Sequence, residues 1–189
     1  MDANKDFKYY LTLVSGNLRV KSGDFVYVHR TKDETKKQSN SPRKQKTIDE
    51  SESKLNYIIF RVEYLVVDDK GEKKLYGHHY LKPSETYHEP TRKFFANEVL
   101  RSPLHDWVSI NEVKGICCVL DLGTYCKGRP KGVDEEDVYI CDYRVDRHAK
   151  AFTKIAKNNQ VFVNTKSYAF DTFEKRLNPK RTYSVRLTH

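Results

Sequence analysis

The chain has 189 residues, 38% of them hydrophobic and 32% charged, and carries a formal net charge of +9. That length bounds it to one domain with extensions or two small ones, enough to bury a core without a disulfide or metal staple. No stretch reaches eighteen apolar residues, and the start lacks an apolar run with a positive flank, so neither a secreted protein nor a membrane partner is expected.

Residues 1–22 read as an N-terminal extension: Phe7 to Val14 is apolar and aromatic, as an edge strand would be, and Ser15-Gly16-Asn17 is a turn. Gly23-Asp24 precedes Phe25-Val26-Tyr27-Val28, a compact strand signal. From His29 to Lys54 the one large apolar residue is Ile48. A basic cluster (Lys36, Lys37, Arg43, Lys44, Lys46) is followed by an acidic one (Asp49, Glu50, Glu52). So little apolar surface cannot offset the entropy of ordering, which predicts a long disordered loop over 29–54.

Tyr57 to Val67 is the strongest strand, its apolar positions alternating around Arg61 and Glu63. Asp68-Asp69-Lys70-Gly71 reads as a hairpin turn, Lys74 to Leu81 as the partner strand, and Pro83 ends it. Phe94 to Leu100 is a short apolar segment whose state, helix or strand, stays open. Ser109-Ile110-Asn111-Glu112 fits a capping box for a single turn. Ile116 to Leu122 and Val138 to Tyr143 are two further strands. Phe170, Phe173 and Leu177 recur at helical spacing before Asn178-Pro179, predicting a short amphipathic helix on the core. With thirteen tyrosines and nine phenylalanines, the expectation is a mainly β fold with a barrel-like core and short helices. The core domain spans 23–156, and a basic extension over 157–189 packs on it.

Six of the nine excess positive charges fall between Ala151 and His189. Such asymmetry points to a polyanionic partner. The expected phosphate-binding set is Lys36, Lys37, Arg43, Lys44 and Lys46 in the loop, with Lys166, Lys175, Arg176, Lys180, Arg181 and Arg186 in the extension. These would hold DNA by its backbone, without base readout. Tyrosines grouped in and beside the 57–81 hairpin have the character to cage a methylated lysine through cation–π attraction, although ordinary core and cross-strand packing is the favoured explanation.

Signals for catalysis and cofactors are missing. GxSxG, P-loop and GxGxxG motifs are absent, and a pairing such as Cys126 with His88 has no motif behind it. Cys117, Cys118, Cys126 and Cys141 form no CxxC pair and read as buried reduced thiols. His78 and His79 are adjacent on a strand and point to opposite faces, so one metal is not expected to join them. The run Asp134 to Asp137 lacks EF-hand spacing and reads as a solvated loop. No cofactor is expected.

The order of motifs resembles the bromo-adjacent homology (BAH) domain. Gly-Asp-x-Val-Tyr-Val at 23–28, Ile59 to Leu65, Tyr80-Leu81-Lys82-Pro83-Ser84-Glu85-Thr86, Asn97-Glu98-Val99-Leu100-Arg101-Ser102 and Asp137 to Cys141 are similar to that family's successive elements. Tyr76 to Leu81, Cys126 to Pro130 and Thr165 to Phe170 resemble the C-terminal region of the "absent, small or homeotic discs" histone methyltransferases. The resemblance implies a non-catalytic nuclear chromatin module, a fragment of a histone-lysine methyltransferase whose activity lies elsewhere. Its implied partners are the nucleosome or DNA, and alternatively a histone tail or chromatin protein contacting Tyr57, Tyr64, His79 and Tyr80. Two aromatic positions of the family's methyl-lysine cage fall here at Val66 and His79.

Overall fold

The computed structural model describes residues 8–29, 57–156 and 170–185. The expected loop over 29–54 lies outside these residues, apart from His29. The described chain is mainly strand: β1 (Lys8–Tyr10), β2 (Thr12–Ser15), β3 (Leu18–Lys21), β4 (Phe25–His29), β5 (Tyr57–Val67), β6 (Lys73–Leu81), β7 (Leu100–Ser109) and β8 (Val113–Leu120) come first. A four-residue helix α1 (Leu122–Tyr125) follows, then β9 (Gly128–Pro130), β10 (Val138–Ile140), β11 (Tyr143–Val145), β12 (Phe152–Lys154) and β13 (Phe170–Thr172).

One sheet organises the molecule, in the order β10-β8-β4-β5-β6-β7-β11-β12, with β1 paired to the far end of β5. Its centre is the β5–β6 hairpin. The turn closes because Asp68 Oδ1 accepts from the N–H of Lys70 and Glu72 at 3.1 and 2.9 Å, and Gly71 supplies φ 81°. The capping box at Ser109 forms: its side chain accepts from the Asn111 N–H at 3.3 Å, and Glu112 accepts from the Ser109 N–H at 3.0 Å.

The sheet's alternation sorts apolar side chains onto two faces. Val26, Val28, Phe60, Val62, Leu65, Leu75 and Val108 line the first, where the β2–β3 hairpin seals them with Leu13 and Val20. Phe25, Tyr27, Ile59 and Tyr80 line the second, under Val99, Cys117, Cys141 and Ile155. All four cysteines are free and buried.

Two expectations change. The segment from Phe170 to Leu177 is not a helix. Phe170, Asp171 and Thr172 pair with Pro130, Arg129 and Gly128, and the N–H groups of Phe173 and Leu177 donate to the Lys127 and Cys126 carbonyls. Gly128 permits this, because a Cβ there would lie 2.0 Å from the Asp171 carbonyl oxygen. Cross-strand pairing thus outcompetes a helix too short to sustain itself. The acidic run 134–137 is not merely solvated. Glu135 receives Arg129 Nε at 2.6 Å, and Asp137 accepts the Tyr27 hydroxyl at 2.8 Å.

Candidate functional site

The second sheet face divides into two halves along the strands. Toward β4 and the start of β5 it is a core. Toward β1, the end of β5, and the facing parts of β6 and β7, aromatic rings stand open to solvent. Tyr9 meets Tyr64 edge-on at 6.1 Å, Tyr64 stacks on Tyr76 at 6.0 Å, and Tyr76 lies 5.0 Å from Trp107 and 5.6 Å from His105. Tyr9, Tyr64 and Trp107 are 67%, 55% and 45% exposed. Register explains the row: Tyr64 pairs with Tyr76 and Tyr76 with Trp107, so three strands present a ring at one level.

Two bulges aim the polar groups beside this row. Between Val62↔Gly77 and Tyr64↔Tyr76, β5 carries one extra residue, Glu63. A bulge of this kind re-aims a side chain. Gly77 sits against it so closely that a Cβ would lie 1.8 Å from the Arg61 carbonyl oxygen. Between His78↔His105 and Tyr80↔Arg101, residues 102–104 face His79 alone. Pro103 falls within this interruption, where a missing N–H costs the ladder nothing.

At the border of the two halves, Glu63 Oε1 lies 3.0 Å from His78 Nδ1 and Glu63 Oε2 lies 3.5 Å from His105 Nε2. The His78 ring is fully buried and stacks on Tyr80 at 5.4 Å. Burial, with Arg101 and Arg61 nearby, pushes His78 down to about 3, so it is neutral at physiological pH. Its Nε2 is buried without a hydrogen-bond partner.

The residues expected to bind a peptide do not converge. Tyr80 is 2% exposed and packs edge-on against Phe25 at 5.1 Å, so it belongs to the core. Tyr57 packs against Tyr27 at 5.9 Å. His79 points to the first face, edge-on to Phe60 at 5.4 Å and 3.7 Å from Asp106. Only Tyr64 of the four joins the open row. Val66 is fully buried, so the two departures from the family's cage leave no ring pair there.

Of the expected phosphate-binding residues, Lys36, Lys37, Arg43, Lys44, Lys46, Lys166 and Arg186 lie outside the described residues. Lys175, Arg176 and Lys180 are exposed. Arg181 has an internal role. It holds Glu98 at 3.1 Å and Asp142 at 3.3 Å, both carboxylates being buried, and lies 4.2 Å over the Phe95 ring.

Sequence reasoning missed Tyr9, Glu63, His78, His105 and Trp107 as parts of one surface. The sequence reading assigned no element to residues 101–108, where Pro103 interrupts the strand pattern. The one available signal was Trp107, the single tryptophan, set in a polar stretch.

A family model described as BAH domain matches residues 18–156. The chain is 44% identical over 184 residues to the histone-lysine N-methyltransferase ash1 of Drosophila melanogaster, covering 94% of this chain and 8% of that protein. It is 38% identical over 120 residues to the probable histone-lysine N-methyltransferase lin-59 of Caenorhabditis elegans, covering 62% and 9%. The chain therefore spans less than a tenth of these relatives. Among solved structures, the yeast Rsc2 BAH domain superposes with a TM-score of 0.60 at 20% identity, over 82% of this chain and 62% of the other. The matched region is a non-catalytic module, and the chain belongs to the BAH domain family.

Proposed function

We propose that this chain is a nuclear chromatin-docking module that receives a basic protein segment, such as a histone tail, on the open half of its second sheet face. One observation carries the reading: the row Tyr9, Tyr64, Tyr76 and Trp107 lies across four strands with three of its four residues exposed. Exposed aromatic faces attract lysine and arginine side chains, each contact contributing about 0.5–1 kcal/mol at an exposed site. Glu63, 3.5 Å from the His105 ring that stacks on Tyr76, borders the row and favours a cationic guest. The relatives' names, histone-lysine methyltransferases and chromatin remodelling subunits, agree with such a partner. In a longer protein of that kind, the module would hold a separate catalytic domain at the nucleosome.

A second reading is backbone contact with nucleosomal DNA through the basic segments. The exposed Lys175, Arg176 and Lys180 and the net charge of +9 favour it. Titration of nucleosomes and of free duplex DNA at two salt concentrations separates the two. Docking on the rings predicts nucleosome binding with a shallow salt response, weakened about tenfold or more by Trp107→Ala. Binding to both ligands that falls steeply with salt, each neutralised phosphate adding about 0.9 to the log–log slope, and that ignores Trp107→Ala, would replace it with the DNA reading.

A further inference from the structure

We infer that Glu63, His78 and His105 form a binding site for a divalent transition-metal ion of the zinc type. Their ligand atoms all lie within 4.8 Å of one another. Bonds of about 2.0–2.1 Å in a tetrahedral site put neighbouring ligand atoms about 3.3 Å apart. Glu63 Oε1 lies 3.0 Å from His78 Nδ1 and Glu63 Oε2 lies 3.5 Å from His105 Nε2, so the carboxylate faces both rings near that spacing before any ion draws the groups together.

The three residues reach this point by independent routes. Glu63 is the extra residue of the β5 bulge, His78 faces it from β6, and His105 is placed by the second bulge, on β7. His78 is anchored by burial, and Nδ1 is its one hydrogen-bonded nitrogen. His105 is exposed and can swing to close the set. Two imidazoles and one carboxylate are a donor set that suits zinc and its neighbours more than calcium or magnesium. Three protein ligands leave a fourth position open to water or to a group from a docked partner.

The test of this site uses metal alone and so does not depend on what docks on the rings. Zinc chloride is titrated into the 189-residue chain by calorimetry in chelator-free buffer, with cobalt(II) followed by visible absorbance. The expected result is one ion per chain, a visible band without intense sulfur charge transfer, and a Tm that rises with zinc concentration. His105→Ala, a change at an exposed residue that leaves the core intact, should weaken zinc by at least the ~10-fold that loss of even an outer partner costs, and Glu63→Gln should act likewise. His148→Ala, an exposed histidine elsewhere, should change nothing. Equal affinity in the wild type and His105→Ala would overturn the site. So would a sulfur charge-transfer band, which would move the metal to the cysteines, or no heat with zinc in large excess over the chain.

Discussion

The two halves of the second sheet face share one alternation of side chains and differ in what lies above them. Over Phe25, Tyr27, Ile59 and Tyr80 cross the segments that carry Val99 and Cys141, held to each other by backbone bonds between Val99 and Ile140 and between Asn97 and Ile140. Arg181 fastens both segments through Glu98 and Asp142. Over Tyr64, Tyr76 and Trp107 no such crossing occurs among the described residues, and the rings remain open. The same residue type therefore serves stability in one half and stays exposed in the other. Strand pattern selects the face; the crossing segments decide its role.

The comparison breaks most visibly at Tyr80. Tyr80→Ala removes a ring from the covered half and should cost about 3–5 kcal/mol of stability, measured by urea unfolding. A loss below about 1 kcal/mol would mean that the covered half is not a core. Gly77→Ala tests the border. The added methyl meets the Arg61 carbonyl oxygen at 1.8 Å, a backbone collision that no rotamer relieves. The expected cost is about 3 kcal/mol, with changed cross-strand NMR contacts around Glu63. Arg181→Ala leaves the Glu98 and Asp142 carboxylates buried beside each other with their cation gone. Breaking a buried pair costs about 3–5 kcal/mol, and the partial exposure of Arg181 reduces this to about 2 kcal/mol. Hydrogen exchange should rise first at Val99 and Ile140, while the open half is unaffected.

Much of the covered half was legible in the sequence. The β5–β6 hairpin, its turn, the Ser109 capping box and the strands at 25–28 and 138–140 follow from alternation and turn chemistry, which are local. What escaped depended on partners distant in sequence. Phe170 to Leu177 carries helical spacing, yet its backbone is claimed by β9, some forty positions earlier. Arg181 looked like one more surface base until Glu98 and Asp142 came to meet it. The open row escaped for a related reason. Its members sit on β1, β5, β6 and β7, and two bulges shift the register by which they meet. Grouping tyrosines by nearness in sequence picked Tyr80, which is buried, and Tyr57, which packs half-buried against the covered half, and left out Tyr9 and Trp107.

The smallest expected change in stability sharpens the contrast most. Trp107→Ala removes the largest ring of the open half, where solvent already reaches nearly half of the residue. Little apolar contact is lost, so unfolding should shift by less than about 1 kcal/mol, as surface substitutions do. A guest segment on the row would lose its broadest cation–π platform, so binding should weaken about tenfold, equivalent to ~1.4 kcal/mol. Trp107→Phe, which keeps an aromatic face, should recover part of that affinity. Because Trp107 is the one tryptophan, its emission in the wild type reports the open half directly. Titration with a lysine- and arginine-rich histone-tail peptide should change that emission with the same midpoint as binding. If binding proceeds with the emission unmoved, the guest lies elsewhere on the module and the open rings owe their exposure to some other cause.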